Sequence, residues 1–198
     1  MRAAHLQWVT QTRDLGLVPE PILLEREKIL GHQYGILRQS DGDGAADRIA
    51  RVAALASTTD AELAPLVTAL DDSDSAVRYW AATGLGNLAP ASKAAALQVR
   101  PLLQDPSAVV RIAAARALCR MGQPDEALPI LTIELDKGAQ WERLHAAIVL
   151  DEIDEQAKPV IESMQAAMKP RKDLYANGKY TIRVLNRALN QLQGTENV

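Results

Sequence analysis

Three stretches of this 198-residue chain are variants of one another. They are LDDSDSAVRYWAATGL from Leu70, LQDPSAVVRIAAARAL from Leu103 and LDKGAQWERLHAAIVL from Leu135. An Arg stands eight positions after the first Leu each time (Arg78, Arg111, Arg143), and the next Leu follows seven later (Leu85, Leu118, Leu150). An Ala-Ala pair keeps its offset as well, at Ala81-Ala82, Ala114-Ala115 and Ala146-Ala147. The unit advances by 33 and then 32 residues. A period of this size describes a supersecondary unit too small to bury its own apolar face, so that copies stack to make a continuous core.

The residue types say what the unit is made of. The chain holds 33 Ala and 26 Leu, no Phe, and only 4 % aromatic residues. Ala and Leu are strong helix formers, whereas pleated faces draw on β-branched and aromatic residues. Each unit therefore reads as two helices. Asp or Ser precedes the Arg-bearing helix as an N-cap, and apolar residues follow at helical spacing, as in Val110, Ala113, Ala114 and Ala117. The chain turns at breakers such as Met-Gly-Gln-Pro. A second helix then begins near a Pro, with Pro65, Pro129 and Pro159 expected at the first helical position, where a missing N–H costs nothing. Pro101 falls later and starts or kinks its helix. Weaker copies flank the clear ones over 45–70 and 157–192, giving about four and a half units.

The strings ALPILTIELD, ERLHAAIVLDEI and DPSAVVRIAAARALCRMG resemble HEAT-like repeats of the short bacterial kind. The resemblance implies an all-α fold, a right-handed α-solenoid of antiparallel helix pairs, over residues 44–198. Departures occur at Glu142, where the pattern has Val, and at the long insertion RKDLYANGKY in the last unit.

Residues 1–43 do not follow the period and read as a helical adaptor. A helix runs to about Asp14, the chain breaks at Leu-Gly-Leu-Val, and Pro21 opens a second helix with Leu23, Leu24, Ile29 and Leu30 as its apolar stripe. The phrase from Trp8 through TRDLGLVPE resembles the segment that follows the catalytic domain in certain bacterial formylglycine-dependent sulfatases, some of which carry a HEAT-like tail. That resemblance implies association with a sulfatase without its chemistry. The signature Cys- or Ser-x-Pro-x-Arg has no match, since Cys119 is followed by Arg-Met-Gly, and the paired metal-binding Asp residues are missing.

Arg78, Arg111 and Arg143 are the strongest polar signal. One reading is a structural ladder in which each donates to carbonyls or to an Asp such as Asp72 or Asp105; the other is a phosphate or sulfate clamp built on bidentate guanidinium contacts. Asp41, Asp43 and Asp47 mimic a calcium loop, yet the fifth, sixth and twelfth positions are Ala45, Ala46 and Val52, so the segment reads as an acidic linker. His5, His32 and His145 have no zinc-like spacing, and Cys119 reads as a packed residue rather than a nucleophile. No catalytic, cofactor or metal site is expected. KPRKDLYANGKYTIR interleaves basic residues with Tyr, so Arg171, Lys172 and Tyr175, together with a partly exposed Trp141, form a candidate binding surface. The plainer reading makes it an inter-helix loop whose tyrosines, Tyr175 and Tyr180, seal the end of the solenoid; Trp80 is expected in the core.

The net charge of −3 offers no broad basic surface for nucleic acid, and no run approaches a membrane span. The first residues lack the apolar core of a signal peptide. The expected location is cytoplasmic, or periplasmic or secreted if the chain is the tail of an exported sulfatase. A non-catalytic scaffold is expected, with a protein partner or an upstream sulfatase domain recognised by a concave face of second helices. The alternative makes it part of a sulfuric ester hydrolase.

Overall fold

The structure, a computed structural model, describes residues 2–39 and 44–195. The linker residues Asp41 and Asp43 thus lie outside the described residues. Eleven α-helices and no strand occur among the described residues: α1 (Arg2–Thr12), α2 (Glu20–Leu30), α3 (Ala45–Ala56), α4 (Leu63–Ala69), α5 (Ser75–Asn87), α6 (Ala96–Val99), α7 (Ala108–Arg120), α8 (Pro124–Lys137), α9 (Gln140–Glu152), α10 (Ile161–Ala167) and α11 (Lys179–Gln193). The long helices α3, α5, α7, α9 and α11 pack one beside the next to form a layer. Short connections fold α4, α8 and α10, with the broken stretch around α6, back against them as a second layer. The result is an all-α solenoid.

Small residues set the spacing within the first layer. Both members of each Ala-Ala pair are fully buried. Neighbouring helical positions point about 100° apart, so each of these helices is covered on two sides. Glycine brings α5 closer still. A Cβ on Gly84 would stand 3.0 Å from the Cα of Ala56 in α3, and one on Gly86 would stand 3.0 Å from the Cα of Ala117 in α7.

Helix starts follow local chemistry more than the repeat. Asp74 caps α5 by accepting from the N–H of Ala76 at 2.8 Å, whereas Ser107 makes no side-chain cap on α7 and Ala139 precedes α9. The prolines need correction. Pro124, not Pro129, opens α8, because acidic Asp125 and Glu126 favour a helix start directly after the Gly122 turn; Pro129 lies inside the helix. Pro65 is the third residue of α4, Pro159 sits in a 3-10 turn ahead of α10, and Pro101 sits in the 3-10 turn Arg100–Gln104.

The N-terminal segment is built into the repeats. Helix α1 packs on α3, and Val18, Ile22 and Leu23 join the same core as the solenoid helices. The apolar stripe of α2 is accordingly shifted: Pro21, Ile22 and Leu23 are buried while Ile29 is 84 % exposed. Two polar contacts fasten the segment. The indole N–H of Trp80 donates to the carbonyl of Leu17 at 2.6 Å, and Arg26 pairs with Asp74 at 2.7 Å.

Candidate functional site

The in-phase arginines form a series of bonds between neighbouring elements. Arg78 donates from Nε and Nη2 to the two carboxylate oxygens of Asp105 at 2.7 and 3.0 Å, and from Nη1 to the carbonyls of Asp72 and Ser73. Arg111 repeats this with the carbonyls of Asp105 and Pro106, but its carboxylate is Glu134 at 2.7 Å. Arg48, one unit earlier, pairs with Asp72 at 2.9 Å. Asp72 and Asp105 each also accept a backbone N–H two residues on, at 2.8 Å, which helps orient the carboxylate toward the guanidinium. The same register in the third unit holds Lys137, two residues after Leu135, so Arg111 reaches back into α8 for Glu134.

Arg143 ends differently. It is only 3 % exposed and bonds to no carboxylate among the described residues. Its Nη1 donates to the carbonyl of Asp136 at 2.8 Å, its Nη2 to the carbonyl of Ala167 at 3.5 Å, and its Nε has no hydrogen-bond partner. The two guanidinium pKa values move in opposite directions. The hydrogen bonds from Arg78 to Asp105 hold the Arg78 pKa above its ordinary value, whereas burial, then the nearby charge of Arg171, pulls that of Arg143 below it.

Arg171 comes from the loop after α10 to donate to the same Asp136 carbonyl at 3.0 Å, and it pairs with Asp173 at 3.1 and 2.5 Å. Two candidates from separate stretches thus meet. Lys172 is exposed beside them, and Trp141, 36 % exposed, stands two residues before Arg143 at the start of α9. Tyr175 stacks on Tyr180 with ring centroids 6.3 Å apart, but both rings remain in solvent, at 71 % and 40 % exposure. These tyrosines do not seal the solenoid; α11 does so with Leu185, Ala188 and Leu189 against α9.

A groove of about 320 Å³ runs along α5, α7 and α9, lined by residues including Tyr79, Thr83, Ile112, Arg116, His145, Ile148 and Glu152. It therefore lies on the Arg-bearing helices rather than on the second helices expected to carry the binding face. At its polar end Glu152 accepts from Arg116 at 2.7 and 2.6 Å and from Arg120 at 2.8 Å, while Arg116 also donates to Asn87 at 2.9 Å. Burial pushes the Glu152 carboxyl up, but the hydrogen bonds and charges of Arg116 and Arg120 outweigh it and leave the pKa below the usual carboxylate range. Burial lowers the His145 pKa, which favours neutral imidazole, and raises that of the Tyr79 phenol. Leu17, Val18 and Pro19 line an adjoining hollow with Trp80, which shares Tyr79 and His145 with the groove.

Apart from His145, which the sequence offers only as an unpartnered metal ligand, the residues of this groove carry no motif, although they do carry a signal. Thr83, Arg116 and Ile148 occupy one repeat register, and Asn87, Arg120 and Glu152 another. Each register holds three different chemistries, so a search for what repeats passes over it. Elsewhere, the buried thiol of Cys119 is pushed up to about 12 and carries no nucleophile at neutral pH. Among the described residues no group of three or more His, Cys, Asp or Glu is placed to hold a metal ion, and no helix there is long and apolar enough to cross a membrane.

Residues 63–151 match the family described as HEAT repeats. The match begins at α4 and ends within α9, so it contains Arg78, Arg111, Arg143 and nearly all of the groove. A search of curated proteins found no match. The HEAT-like part is thus a helical repeat of a kind often used for protein interaction, and the sulfatase-like phrase at Trp8–Glu20 lies outside the matched residues.

Proposed function

We propose that the chain is a non-catalytic interaction module that binds an extended segment of a protein partner along the groove of α5, α7 and α9. The supporting observation is the mixed lining. Ile112, Val149 and the exposed Ile148 offer apolar contact, while Tyr79, His145 and the Arg116–Glu152 pair offer directional polar groups at one edge. Concave apolar floors with a few convergent polar groups are the usual form of a recognition site. The contact of the chain's own residues 15–19 supports the reading, since the indole of Trp80 in α5 donates to the carbonyl of Leu17 in this crossing segment.

A photo-crosslinking residue placed at Ile148 should capture a discrete partner in cells, and the same residue at Leu97, exposed on α6 in the other layer, should not. Equal capture from both positions would overturn the groove assignment. The second reading, the tail of a sulfatase, rests on the phrase TRDLGLVPE. An immunoblot of the native protein tests it: a single band near 21.5 kDa ends that reading, and a much larger band supports it.

A further inference from the structure

The break in the arginine series at Arg143 is where a buried guanidinium has no carboxylate bonded to it. Arg48, Arg78 and Arg111 each close on a carboxylate from later in the chain. Arg143 is more deeply placed, yet the corresponding position presents only the backbone of Ala167, and its Nε is buried without a partner. Arg171 brings a second guanidinium to the same carbonyl oxygen. Two cations sharing one neutral acceptor in partly desolvated surroundings are unfavourable unless an anion sits beside them.

Two carboxylates face these cations: Asp136, which attracts both through charge alone, and Asp173, which bonds to Arg171. The Asp173 side chain is 60 % exposed and reaches Arg171 from two residues away on the same loop. An exposed pair of this kind is held weakly and exchanges readily with other anions. Beside the pair, Asp136 and Ala167, whose carbonyls receive Arg143, also line a hollow of about 300 Å³ with Thr132, Lys137 and Ser163. Lys169 and Lys172, both exposed, stand within two residues of Arg171 in the sequence, so with Lys137 the stretch carries more cations than the nearby Asp136 and Asp173 offset, within a chain of net charge −3.

We propose that Arg143 and Arg171 form a carboxylate-binding site, and that an acidic segment of a protein partner displaces Asp173 from it. Arg171 makes the direct two-pronged contact, and Arg143 supplies charge from behind. A carboxylate fits because the three other arginines of the series take one, and because the guanidinium fork matches two oxygens on one carbon. A nucleic acid would draw on a wider basic surface than this loop provides. The site is separate from the groove of α5, α7 and α9, and it stands whether or not that groove binds.

The test is a titration of the ¹⁵N-labelled chain with an acetylated hexaglutamate peptide, read at the arginine Nε–H resonances. Arg171 and Arg143 should shift with a common saturating curve while Arg78 stays still. Asp173→Asn, which removes the competing carboxylate, should tighten binding by about three-fold. Arg171→Gln should weaken it on the order of ten-fold, and Lys93→Gln, which changes the net charge equally at a distant exposed position, should leave it unchanged. Shifts confined to Arg171 would remove Arg143 from the site. An unaltered affinity in Asp173→Asn would overturn the displacement even if Arg171→Gln unfolds the loop. Preference for a single-stranded oligonucleotide over the peptide would overturn the carboxylate assignment.

Discussion

Arg78 and Arg143 occupy the same register of successive units and live in opposite electrostatic conditions. Arg78 has a fixed carboxylate, Asp105, on two of its nitrogens. Arg143, at 3 % exposure, has two carbonyls and an unpartnered Nε. The shared part of the two sites is the contact with the carbonyls of the preceding turn, Asp72 and Asp136. That contact needs only the helix start, which each unit makes for itself. The carboxylate comes from later in the chain, from the next unit for Arg78 and from α8 of its own unit for Arg111, and the chain after α9 bonds none to Arg143 among the described residues. A repeat therefore guarantees the arginine and leaves its counter-ion to chance of position.

The contrast is sharpest in stability. Arg78→Met leaves the carboxylate of Asp105, 5 % exposed, without its counter-charge, and removing one partner from a buried pair costs about 3–5 kcal/mol. Chemical denaturation should show a large fall in midpoint; an unchanged midpoint would erase the distinction between the two sites. Ala114→Phe tests what the units share. Ala114 is fully buried in α7, and overpacking of this kind costs about 1–3 kcal/mol, read in the same experiment.

Arg143→Met is the complementary variant. It removes a buried cation that has no carboxylate, so the change in stability should stay within about 1 kcal/mol of zero. A loss as large as that of Arg78→Met would mean that carbonyls alone hold the series together. The smallest effect concerns His145, next to this arginine in the helix. Its folded pKa is depressed below the ordinary 6.5 by burial. The unfolded chain then binds the proton more readily, so the stabilising share is complete above pH 6.5 and is lost as pH falls from there through the folded pKa. Melting temperatures at about pH 7.5 and about pH 5.5 should differ less in His145→Phe than in the parent.

How far these sites were legible depends on whether they repeat. The period, the Ala-Ala pairs and the arginine register stand openly in the sequence, and the solenoid follows from them. Asp105 was a visible candidate because it sits two residues after Leu103, as Asp72 does after Leu70. Glu134 was not, since Lys137 holds the expected position and the acid lies one residue ahead of Leu135. The meeting of Arg143 with Arg171 depends on how the insertion after α10 turns back toward Asp136. No spacing expresses that. The groove was hidden for another reason: its columns, such as Thr83, Arg116 and Ile148, are aligned but chemically unlike.

The sequence by itself determined that the chain is helical, that its units stack every 32 or 33 residues, and which faces carry the small residues that let them stack. Those are consequences of helical periodicity and side-chain size, which act within a turn or two of the backbone. Only the tertiary structure decided which carboxylate meets which arginine, that residues 15–23 lie against the repeats, and that the groove runs on the Arg-bearing helices. These depend on loops of unequal length and on pairs such as Arg78–Asp105 and Arg116–Glu152, 27 and 36 residues apart. Charge and shape at that range are set by how whole helices are placed, and the period says only that they are placed side by side.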